Sequence, residues 1–268
     1  MVAPHEALEH TLTTADGLDI SAIHLVGAAT GLCLVVVHGF TGSWREERVQ
    51  RVINELVGFG SVIAIDMRGH GRSGGVTTLG DLEVLDVAAA VDWARDLGYA
   101  TVVSVGFSLG GAVVLREGGL AATAGLPAGA TGGRVDGVVA VSAPAFWYYK
   151  GTKVTRFVHL LVETRWGRAV MKLGGTRITD HDWVEPYPAA PFEAAALLDV
   201  PLLIVHGDVD RYFPIEHPQA IQRSAEAAGV RTDLWLEHGF GHAETAVSTE
   251  ILERIGAWAR ECPPHGRG

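Results

Sequence analysis

Thr101-Val102-Val103-Ser104-Val105-Gly106-Phe107-Ser108-Leu109-Gly110-Gly111 joins an apolar, β-branched run to a serine bracketed by glycines. The run predicts a strand over 101–106, and the residues after the serine predict a helix over 109–116. Between them stands G-x-S-x-G, written here as Gly106-Phe107-Ser108-Leu109-Gly110. In a strand–turn–helix context this spacing holds the serine in a strained turn, so its neighbours two positions away must be small for strand and helix to approach. The helix N-terminus then aims backbone N–H groups at any negative charge that develops beside the serine. A glycine-rich turn also serves as a plain connection or a nucleotide site. Dinucleotide binding calls for G-x-G-x-x-G, and that spacing is absent here.

Outward from this turn, strand-like and helix-like segments alternate. Segments 10–14 and 18–25 flank Ala15-Asp16-Gly17 and predict an opening hairpin, with Asp-Gly supplying the positive φ of a tight turn. The valine-rich run 32–37 is apolar throughout, as a strand buried on both faces requires. Further strands are expected at 61–66, 135–141, 200–205 and 232–237, and helices at 44–56, 81–97, 218–228 and 244–260. This order predicts an α/β fold, a mostly parallel central sheet flanked by helices. Residues 144–196 break the rhythm with Phe146-Trp147-Tyr148-Tyr149, a helical stretch over 154–171 and Glu185-Pro186-Tyr187-Pro188. That length exceeds an ordinary connection. It reads as a short helical cap insertion over the C-terminal edge of the sheet, with 1–143 and 197–268 as the core domain. The small-residue stretch 121–133 reads as a surface loop.

The bulk properties narrow the function. A chain of 268 residues can bury one sizeable α/β core. Its formal charge of -10 argues against a phosphate-tracking surface, so no nucleic-acid partner is expected. Residues 1–6 lack a basic stretch leading into an apolar run, so no secretory signal is expected, and no segment is long and apolar enough for a membrane span. Cys33 and Cys262 make no disulfide framework and read as free thiols in a reducing cytoplasm. His181, Asp182, Glu185, His206 and Asp208 have no recognised metal spacing, so neither metal nor cofactor is expected.

Four motifs in order, each after an expected strand, resemble the α/β-hydrolase superfamily of serine hydrolases, esterase- or lipase-like, over nearly the whole chain outside the cap. They are His38-Gly39-Phe40, then Asp66-Met67-Arg68-Gly69-His70-Gly71-Arg72-Ser73, then the serine turn, then the paired acid and histidine loops. The resemblance implies Ser108 as nucleophile. In His206-Gly207-Asp208-Val209-Asp210-Arg211-Tyr212-Phe213-Pro214 it selects Asp210, four residues before the proline, as the acid that orients the imidazole. Asp208 competes, with loop capping as its other reading. In Glu237-His238-Gly239-Phe240-Gly241-His242 it selects His242 as base, with His238 more structural. The resulting chain order, serine then acid then histidine, is the order of this fold. Oxyanion-hole donors are then the backbone N–H groups of Phe40 and Leu109. His38, His70, Asp66 and Arg68 read as loop supports.

The implied chemistry is acyl transfer to water through an acyl-enzyme, on a small-molecule acyl ester substrate. A thioesterase or acyltransferase would use the same residues, and a non-catalytic ligand-binding protein would have no need of all three. Phe40, Phe107, Phe146 and Trp147 are the candidates for the substrate pocket. Large aromatics in a small cap also serve simply to attach it.

Overall fold

In the computed structural model, residues 7–27, 31–127, 130, 133–185 and 187–264 are described. The N-terminal residues 1–6, parts of the 121–133 loop and Pro186 therefore lie outside the described residues. Strands β1 (Ala7–Thr13) and β2 (Asp19–Leu25) form the antiparallel hairpin, with Gly17 at φ 79° in its turn. Then come β3 (Leu32–Val37), α1 (Glu47–Leu56), β4 (Ser61–Ile65), α2 (Glu83–Asp96), β5 (Thr101–Phe107), α3 (Leu109–Ala122) and β6 (Gly137–Val141). Helices α4 (Lys153–Glu163), α5 (Arg165–Leu173) and α6 (Pro191–Ala195) precede β7 (Leu202–Gly207), α7 (Glu216–Ala227), β8 (Thr232–Glu237), α8 (Ala243–Ala246) and α9 (Thr249–Arg260).

The eight strands lie in the order β1-β2-β4-β3-β5-β6-β7-β8. β2 pairs antiparallel with β1 and β4, and all other pairs are parallel. In β3, Cys33, Val35 and Val37 join one core cluster with α2, α3 and α7, while Leu34 and Val36 join the other with α1 and α9. Each such side chain, taken fully out of water, stabilises the fold by roughly 1.5–3 kcal/mol. This two-sided burial explains why the run is apolar throughout. Both thiols are buried and form no disulfide.

Several element ends shift by two or three residues from the sequence expectation, and three larger differences have a visible cause. Residues 244–260 are not one helix. Ser248 caps α9 by accepting the Ile251 N–H at 3.2 Å, and Arg51 takes the carbonyl oxygens of Glu244 and Val247, which ends α8. The stretch 154–171 likewise divides at Thr164, whose hydroxyl accepts from Gly167 N–H at 3.0 Å and starts α5. Helix α3 continues past Arg116 to Ala122 across Gly118 and Gly119. A Cβ on Gly119 would stand 2.5 Å from the Ala194 oxygen of α6. The end of the 144–196 segment thus packs into the core layer against α3 and α7, with Ala195 in the core cluster.

Helix α3 also buries Glu117 completely, and neither carboxyl oxygen finds a hydrogen-bond partner among the described residues. Burial, then the charge of Asp92, pushes its carboxyl up to about 8 from an ordinary value of 4.5. Between those values the folded protein holds a proton that the unfolded chain has released, so stability falls as pH rises. Thermal unfolding should show the parent losing more stability from weakly acidic to alkaline pH than Glu117→Gln. Parallel curves would mean that Glu117 is ionised or hydrated in the fold.

Candidate active site

β5 delivers Ser108 and α3 leaves it, and the serine backbone sits at φ 51°, ψ -115°. An L-residue adopts this conformation only where its surroundings enforce it. Here the enforcement is close contact. A Cβ on Gly106 would lie 2.2 Å from the Gly110 oxygen, and one on Gly110 would lie 2.4 Å from the Val37 oxygen. Glycine at both positions lets strand and helix close around the turn and leaves the serine at its apex.

His242 and Asp210 arrive from the loops after β8 and β7. His242 Nε2 lies 2.9 Å from Ser108 Oγ, and Nδ1 lies 2.7 Å from Asp210 Oδ2. With Nδ1–H donating to the carboxylate, Nε2 is free to accept the serine proton. The other Asp210 oxygen accepts from Tyr212 N–H at 2.7 Å and Phe213 N–H at 3.1 Å. Four-residue loop geometry thus fixes the carboxylate before the imidazole meets it. Tyr212 stacks on the imidazole at 4.1 Å between ring centroids.

Asp208 does something else. It accepts from Gly239 N–H and faces His238 Nδ1, both at 2.7 Å on the surface, joining the β7 and β8 loops. His206 is buried, and its Nε2 donates to the Phe213 carbonyl at 2.8 Å. Burial holds its imidazole below the ordinary range, so it braces the Asp210 loop as a neutral ring.

Around the serine, Phe40 N–H and Leu109 N–H find no acceptor among the described residues, Leu109 being the first residue of α3. His38 buttresses this loop: Nδ1–H donates to the Gly39 carbonyl at 2.7 Å and Nε2 accepts from Met67 N–H at 3.1 Å. Burial brings its imidazole down to about 4, which keeps it neutral. His70 meets His38 edge to face at 5.1 Å. Asp66 accepts from Ser43, Trp44, Arg45 and Arg72, and Arg68 pairs with Asp86 and Asp16, so both tie the loops together.

A cavity of about 410 Å³ opens above Ser108 and is walled largely by apolar side chains. Of the four aromatics named as pocket candidates, Phe40, Phe146 and Trp147 line it. Phe107 does not. It is fully buried in the core cluster shared with α1 and α9, because alternation along β5 turns it away from the serine. Trp147 attaches its segment to the core through its ring, packed over Gly80, while its Nε1 donates to the Pro188 and Ala189 carbonyls within the same segment.

Glu244 was not visible as a site residue. Its buried carboxylate accepts the Gly39 N–H at 2.6 Å, linking the histidine loop to the loop before Phe40. In sequence it looks like an ordinary acid in the first turn of a helix. Its partner is 205 residues away.

A profile of the alpha/beta hydrolase fold matches residues 33–147. The esterase Pf2001 of Pyrococcus furiosus is 24% identical, with 96% of this chain and 93% of that one covered at a TM-score of 0.73. DcsB, solved with a substrate analogue, is 17% identical over 96% and 99% at 0.69. Est1E of Butyrivibrio proteoclasticus, solved with ferulic acid, is 20% identical over 94% and 99% at 0.62. No curated protein matches the sequence significantly. The chain has the α/β-hydrolase fold.

The two aspartates are separable in solution. The low-field proton resonance of His242 Nδ1–H, held by Asp210, should vanish in Asp210→Ala and persist in Asp208→Ala. Loss in Asp208→Ala alone would reverse the assignment.

Proposed function

We propose that this chain is a serine hydrolase that cleaves carboxylic esters carrying an apolar acyl or alcohol group. The observation that carries this reading is the continuous hydrogen-bond relay from Ser108 through His242 to Asp210 at the floor of an apolar cavity. The solved esterases of the same fold, at low identity, agree with it.

In the first half-reaction Ser108 Oγ bonds to the ester carbonyl carbon while its proton passes to His242 Nε2. Asp210 stays ionised, holds the imidazole in the required tautomer and stabilises the imidazolium. The negative charge on the carbonyl oxygen faces the Phe40 and Leu109 N–H donors, whose loss individually costs about 100- to 1000-fold in other hydrolases. Collapse of the tetrahedral species breaks the bond to the alcohol, which leaves with the His242 proton. Water then gives its proton to His242, attacks the acyl carbon and releases the acid, returning the proton to Ser108.

Residues 144–190 act as the cap in this reading. Phe146 and Trp147 reach the cavity from it, and α4 adds Val158 and Val162. Glu244 is a positioning residue: by holding Gly39 N–H it fixes the peptide that presents Phe40 N–H.

Hydrolysis of p-nitrophenyl esters from short to medium acyl chains should be lost in Ser108→Ala, and retained activity there would reject the nucleophile. Glu244→Ala should lower kcat by roughly 10- to 100-fold with KM little changed, while Glu244→Gln, still able to accept from Gly39, keeps most of it. A change in KM alone would place Glu244 in ground-state binding instead.

A further inference from the structure

The charge of this chain is unevenly placed. Seven of its 21 Lys and Arg residues fall between 150 and 177, namely Lys150, Lys153, Arg156, Arg165, Arg168, Lys172 and Arg177. Only one of its 31 Asp and Glu residues falls there, Glu163. That segment has a formal charge of +6, and the rest of the chain -16, within the overall -10.

The same segment leaves its apolar side chains uncovered. Phe157 and Leu160 on α4 are 58% and 50% exposed, and Trp166 and Leu173 on α5 are 68% and 90% exposed. Their spacing, three residues apart on α4 and seven on α5, puts each pair on one helix face. Lys153, Arg156, Arg165 and Lys172 are exposed on the same two helices. Phe157 also lines the cavity above Ser108, so this outer face runs into the pocket mouth.

We propose that the α4–α5 face docks on an anionic lipid surface. Exposed Trp, Phe and Leu flanked by Lys and Arg is the arrangement by which helices lie in a bilayer interface, apolar tips among the acyl chains and cations at the headgroups. Anionic headgroups repel the body of the protein and attract this face, so charge alone orients the approach. A second copy pairing through the same face would set the cations Lys153, Arg156, Arg165 and Lys172 against their own copies, which argues against a symmetric dimer there. No helix among the described residues is long and apolar enough to cross a membrane, so the contact is peripheral. The docking does not depend on the chemistry at Ser108.

Sedimentation with vesicles of phosphatidylcholine containing one-third phosphatidylglycerol tests this with the intact chain. The parent should bind them at about 50 mM salt, and at least ~10-fold more weakly at about 500 mM salt or with phosphatidylcholine alone. Lys153→Glu with Arg165→Glu and Lys172→Glu should weaken binding by at least ~10-fold, and Trp166→Ala with Leu173→Ala should weaken it at both salt concentrations. All five positions are exposed, so thermal unfolding should be unchanged and loss of binding cannot be assigned to misfolding. Absence of parent binding at low salt, or equal binding by the charge-reversed variant, would overturn the proposal. A parent dimer that this variant dissociates, without vesicle binding, would assign the face to a second copy.

Discussion

The close approach of β5 to α3 at Gly106 and Gly110 is the constraint on which the site depends. Both glycines touch backbone, and backbone cannot move aside as a flexible side chain can. Their contact forces Ser108 into a conformation that ordinary turns avoid, and the parallel sheet on either side keeps it there. A fixed, half-buried hydroxyl at the floor of the cavity is the result. Every other element of the site is arranged around that point.

Fixity comes from interlocking loops. Asp210 is held by two backbone N–H donors before it meets His242, so the carboxylate does not rely on the imidazole for its place. His38 and His206, both buried and neutral, each donate one ring N–H to a loop carbonyl. Asp66 gathers donors from two loops. Buried hydrogen bonds of this kind rigidify a site, because breaking one leaves an unpaired donor or acceptor away from water.

Much of this was legible in the sequence because its signals are local. Glycines at fixed offsets from Ser108, a valine run at 32–37 and the Asp-Gly turn at 16–17 each report their own backbone. Choosing Asp210 over Asp208 and His242 over His238 needed the resemblance, since both members of each pair stand in similar loops. Helix breaks at Thr164 and Ser248 were missed because apolar periodicity ran on past a capping residue. Phe107 was misplaced because adjacency to the serine says nothing of direction in a strand, where successive side chains alternate faces. Glu244 was unreadable: its meaning lies in a contact with Gly39 across the whole chain.

The most direct measurement is reaction of the native protein with a fluorophosphonate, with the adduct located by peptide mass spectrometry. A single modified residue, Ser108, is expected, with slow or absent modification when His242 is replaced by alanine. An accessible, folded protein that leaves Ser108 unmodified, or is modified at Ser108 equally fast without His242, would contradict that expectation.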